Sequence, residues 1–194
     1  MSADGHWWFY RINDSSFPTI QEKFEEAARS AHSIREILVQ DTSTEERFNL
    51  AYTEQASYHQ PFDELAYELL SEAESSLPSW DDIIGLVAQP RVLPPFILYV
   101  GIGKGRFLQL PGFFGNILLH SSEIEGTMTA IFTALDIEWE EYFERAIPAL
   151  AYGTSDGTSE SRDLSKILNV LPEALRVAKE SNTGLLALVS WGSP

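Results

Sequence analysis

The sequence predicts a single-domain α+β protein over residues 1–194, with a mixed or antiparallel sheet that contains the N- and C-terminal strands and several helices packed on it. Three observations lead there. The segments "WWFYRI" (7–12) and "LLALVSW" (185–191) are aromatic and branched aliphatic, the composition of strands buried on at least one face. Most of the chain between them repeats its apolar residues at helical spacing. A chain of 194 residues with 44% hydrophobic content, five Trp, seven Tyr and eleven Phe can fill one core, because domains commonly run to about 100–200 residues. No repeat, low-complexity tract or linker divides it.

The first strand is "WWFYRI". Pro18 then opens a long amphipathic helix in which Ile20, Phe24, Ala27, Ala31, Ile34 and Leu38 share a face. Ser43 with Glu46 three residues on is a capping-box pattern, and predicts a helix to about Ser57. Pro61 opens another, with Phe62, Leu65 and Leu69 on one stripe and Pro78 as its stop. Ser79 with Asp82 repeats the capping pattern before "IIGLVAQP", so the first half is expected to be mostly helical.

From Ile83 to Ser122 there is no Asp or Glu, and only Arg91, Lys104 and Arg106 are charged. Here "PPFILYVG" and "RFLQLPG" are expected as two short strands, with "IGKG" as the tight hairpin between them. "NILLH" adds a further short strand. Ser122 and Glu125 stand in capping register ahead of a helix that carries Ile124, Met128, Ile131 and Leu135 along one face. "IEWEEYFERAIPAL" continues as another helix, and "YGTSDGTSES" is a polar loop. "DLSKILNVLPEALRVAKESNTG" is helical with a break expected at Pro172 and a cap at Gly184.

Charge narrows the function. Twenty-nine acids against 13 bases give a net charge of −16, a field that repels phosphate backbones and favours basic partners, so nucleic acid is not the expected ligand. The absence of cysteine excludes disulfides and thiolate metal sites and suits a reducing cytosol. The start has no signal-peptide pattern and no apolar run reaches the roughly 18–20 residues of a membrane span, so a cytoplasmic protein without membrane contact is expected.

Catalytic signatures are missing. "GIGKGR" lacks the hydroxyl residue after the Walker lysine, and its third glycine comes one position early for a dinucleotide fold. His6, His32, His59 and His120 do not fall at metal-ligand spacing, and Gly-x-Ser-x-Gly does not occur. No catalytic residue, metal or cofactor is assigned. Two candidate sites remain. Glu138, Trp139, Glu140, Glu141, Tyr142 and Glu144 combine steering charge with aromatic anchors, as a surface for a basic protein partner does. Lys104, Arg106 and His120 would form an anion-accepting pocket if the fold brought them together.

The aromatic strand "WWFYRI", the capped helix "SSEIEGTMTAIFTAL", the acidic aromatic segment "EWEEYFERA" and the ending "LPEALRVAKESNTGLLALVSWG" together resemble the YfbM-like family of small bacterial α+β proteins, whose activity is not established. The resemblance covers the first strand and the C-terminal part of the chain. It implies no catalytic residues. It does imply a binding role, since members are sometimes thought to act as immunity proteins against secreted toxins. The expected function is therefore a non-catalytic acidic binding protein, an immunity-type inhibitor of a basic toxin or effector in the bacterial cytoplasm. The alternative is a small-molecule enzyme or ligand-binding protein using the pocket near Lys104, Arg106 and His120. A third class, a subunit whose apolar stretch from Phe96 to Leu119 packs on another chain, leaves the oligomeric state open.

Overall fold

The structure is a computed structural model that describes residues 4–30, 61–69, 78–90, 92–153 and 161–192. Its elements run β1 (Asp4–Ile12), α1 (Phe17–Ser30), α2 (61–69), a 3-10 turn (Trp80–Asp82), β2 (Ile83–Pro90), α3 (Pro94–Ile102), α4 (Lys104–Phe107), β3 (Ile117–Leu119), α5 (Ser121–Leu135), α6 (Trp139–Gly153), α7 (Ser161–Ser181) and β4 (Gly184–Trp191). This is a single-domain α+β fold. One four-stranded antiparallel sheet has the order β2-β1-β4-β3, so the two terminal strands lie side by side at its centre, from Gly5 opposite Trp191 to Ile12 opposite Gly184.

The middles of the central strands, Trp7–Tyr10 of β1 and Leu185–Val189 of β4, are apolar without alternation because both faces are covered. Trp7 and Phe9 point with Val87, Leu185, Ala187 and Val189 into a core shared with α3, α5, α6 and α7. Trp8, Tyr10 and Ile12 point the other way, with Leu186 and Leu188, and meet Ile20, Phe24 and Ala27 of α1 and Phe62, Leu65 and Leu69 of α2. Each large side chain buried in this way contributes about 1.5–3 kcal/mol relative to exposure. The stripes read from α1 and α2 are the observed buried faces; Ala31, Ile34 and Leu38, and the helix expected from Ser43, lie outside the described residues.

Backbone direction distinguishes the sheet's two edges. The Gly192 N–H donates to the Asp4 carbonyl at 2.8 Å, so the even-numbered residues from Asp4 to Trp8 turn their peptide groups toward β4 and the odd-numbered ones toward β2. On the β4 side, β3 pairs only with Leu185–Ala187. Beyond it, the Val189 N–H donates to Asn116 Oδ1 and the Trp191 N–H to Asp63 Oδ1, each at 2.8 Å. Two side chains thus continue the ladder where the short strand stops, and keep buried donors satisfied.

Several expectations are corrected. "PPFILYVG" is not a strand but the helix α3, and "IGKG" is not a hairpin: Gly103, at φ +81°, separates α3 from the short helix α4, which takes up the start of "RFLQLPG". Every residue of α3 except Val100 is buried, so its apolar run has no amphipathic period to tell it from a buried strand. The Ser79–Asp82 capping box is present, but it heads only the 3-10 turn, and "IIGLVAQP" is the strand β2. Partial burial opposes ionisation of Asp82; the Ser79 N–H and the Arg11 guanidinium outweigh it and hold its pKa below the usual carboxylate range. The box of α5 is His120 with Glu123, two residues earlier than Ser122 with Glu125. α7 runs unbroken through Pro172, because Leu164, Ile167, Leu171, Leu175 and Ala178 bury its face completely. Asn182, at φ +52°, turns the chain after α7, and Gly184 already belongs to β4.

Candidate functional site

The acidic surface sits on the first turns of α6. The Glu138 carbonyl accepts the Tyr142 N–H at 3.0 Å, which places the carboxylates of Glu140 and Glu141 in the opening turn, where the helix dipole favours negative charge. Helical spacing then sorts the side chains. Glu138, Glu140, Glu141 and Glu144 are exposed, and Trp139 is 37% exposed. The indole lies 5.9 Å from the Tyr142 ring and 5.8 Å from that of Phe143, so it is held against the helix while one face remains open. Glu141 is tied to Arg145 at 2.6 Å; it contributes less net charge than its neighbours.

Tyr142, expected in this surface, is instead fully buried between α6 and α3. Its ring packs on Gly101 so closely that a Cβ there would collide with it, and burial pushes the pKa of its hydroxyl up. The exposed face here is therefore Trp139 and the four glutamates, with Tyr142 beneath the indole.

The three residues expected to gather an anion are not brought together. Arg106 donates to the Asp136 carbonyl at the C-terminal end of α5, where a cation complements the helix dipole. His120 is the N-cap at the other end of α5, about 22 Å away for a helix of 15 residues. Its Nδ1 accepts the Ser122 N–H at 3.2 Å, its Nε2 stands 3.4 Å from Asp14, and its ring meets Phe17 edge-on. This is a capping histidine that ties the β1–α1 connection to α5. Lys104 lies with Arg106 on α4, half-buried and away from His120's end.

Sequence reasoning missed two residues that organise the sheet's β4 side, Asp63 and Asn116. Asn116 carried a usable signal, a polar residue within an apolar run beside glycines; Asp63 looks like any other acid of an exposed helical face. Among the described residues no helix is long and apolar enough to cross a membrane. No family model matches the chain, and neither a curated protein nor a solved structure matches it significantly.

Proposed function

We propose that this chain is a non-catalytic binding protein, an immunity-type inhibitor that holds a basic toxin or effector in the cytoplasm through the start of α6. The observation that carries the reading is a half-open indole, Trp139, ringed by the exposed carboxylates of Glu138, Glu140, Glu141 and Glu144. A fixed aromatic gives an interface its anchor, and surrounding charge of one sign speeds the approach of an oppositely charged partner. The net charge of −16 extends that attraction beyond the patch. The resemblance to the YfbM-like family belongs to the same proposal.

The test is association with any basic protein whose gene adjoins that of this chain. Glu140→Lys with Glu144→Lys reverses two charges and leaves the Glu141–Arg145 pair intact. Association is expected to slow by about tenfold or more at low salt and to lose most of its salt dependence, in line with electrostatic steering. Trp139→Ala should instead raise the dissociation rate. Failure of the wild-type chain to form a complex, or unaltered kinetics in the double variant, would overturn the proposal.

A further inference from the structure

The two edges of the sheet are finished differently. At the β3 side, a three-residue strand and the side chains of Asn116 and Asp63 close the ladder. At the β2 side no described residue pairs with the outer edge. The register of Trp7 with Val87 and Gly5 with Gln89 directs the odd residues of β2 toward β1, and so turns the N–H and C=O groups of Leu86 and Ala88 outward. Those groups have no hydrogen-bond partner among the described residues. The side chains of Leu86, Ala88 and Pro90 are exposed, Leu86 at 45%, and the nearby Trp80, stacked edge-on against Trp8, is 55% exposed.

Natural sheets guard such an edge with charge, with shortness or with a cover. β2 has eight residues and none is charged, in a chain where 29 residues are acidic. A single bulge, where the register shifts between Phe9 and Tyr10, confines the irregularity to the Ile83–Ile84 end and leaves Gly85–Pro90 regular. We propose that β2 is a self-association edge, pairing antiparallel with β2 of a second copy to join two four-stranded sheets into one of eight.

The strand is self-complementary for this. A two-fold axis through Val87 sets Leu86 opposite Ala88 of the other copy and Ala88 opposite Leu86. Each pair then exchanges two N–H···O bonds, about four in all, and both outward residues are satisfied at once. Large meets small on one face, with Trp80 of each copy flanking the seam. Because β2 is neutral, two chains of net charge −16 can meet there without like charges face to face. A basic partner strand would find no charge to pair with on this edge, whereas a second copy brings the same neutral and self-complementary strand, which is why the occupant is a second copy. The remaining repulsion between the chains makes the association tighten with salt.

Sedimentation equilibrium of the full chain tests this from about 5 to 500 µM, at low salt and near 0.5 M NaCl. The wild type is expected to move from the 21.8 kDa chain mass toward twice that value, at lower concentration in high salt. Ala88→Lys places a charge on the seam, and Ala88→Pro removes an outward N–H that the internal ladder does not use; each should weaken dimerisation at least tenfold. Should either variant fold poorly, amide exchange in the wild type decides the matter: the Leu86 and Ala88 amides should become more protected as concentration rises, with no such change at Val87. A wild type that stays monomeric across the range, a dimer unaffected by both variants, or exchange at Leu86 and Ala88 that ignores concentration would overturn the proposal.

Discussion

Asp63 links stability to pH through one carboxylate. Burial raises its pKa to about 7, against the pull of the hydrogen bond from the Trp191 N–H, with Glu64 adding to the rise. The folded chain therefore keeps a proton that the unfolded chain releases near pH 4. Below that value the group costs nothing; between about pH 4 and pH 7 stability falls as pH rises, and above pH 7 the whole cost is present. Asp63→Asn keeps an oxygen to accept the Trp191 N–H and removes the charge. The variant is expected to be more stable than the wild type at pH 8 by about 1–3 kcal/mol, the full linkage being reduced by partial solvent screening. At pH 4 the two should be nearly equal. Urea denaturation of both proteins at pH 4, 6 and 8 measures the difference, and parallel profiles would rule the linkage out.

Among the elements, α3 and α6 meet without room to spare, and two glycines show how context sets the sign of one substitution. Alanine is favoured over glycine in a helix by about 0.5–1 kcal/mol. Gly126 of α5 has nothing within 4 Å of where a Cβ would stand, so Gly126→Ala should raise stability by about that amount. Gly101 of α3 lies against the Tyr142 ring, so Gly101→Ala should lower stability by about 1–3 kcal/mol through overpacking. Thermal melts of the two variants should move in opposite directions. Such differences also explain what the sequence made legible. α1, α2, α5 and α7 were readable because each has a wet face and a dry face, and the period of 3.6 shows in Ile20, Phe24 and Ala27 or in Ile124, Ile131 and Leu135. α3 was not, because it is dry all round, although Pro94 and Pro95 at its first turn carried a helix-start signal. The candidate surface on α6 was legible in its charges; the inward turn of Tyr142 was not, since it depends on a glycine in another helix.

At the scale of the molecule, one sheet holds two cores apart, and an acidic surface surrounds both. Self-repulsion at −16 opposes the compact state and is screened over about 10 Å at 0.1 M salt. Raising NaCl from about 20 to 300 mM should therefore raise the melting temperature by a few degrees at pH 8; a fall or no change, seen by calorimetry, would count against a repulsive surface. The order β2-β1-β4-β3 has a further consequence, for how the chain is made. β1 and β4 are neighbours in the middle of the sheet, yet about 170 residues of sequence separate Ile12 from Gly184. While the ribosome is still adding those residues, β1 can find β2 but not its other neighbour, and Trp7, Trp8, Phe9 and Tyr10 have only part of their final cover. Loop closure over such a distance is slow, and a half-built apolar sheet is open to aggregation. Until β4 has been made, the apolar residues of β1 lack the strand that covers them in the folded chain, and the order of synthesis leaves that surface open for the longest time.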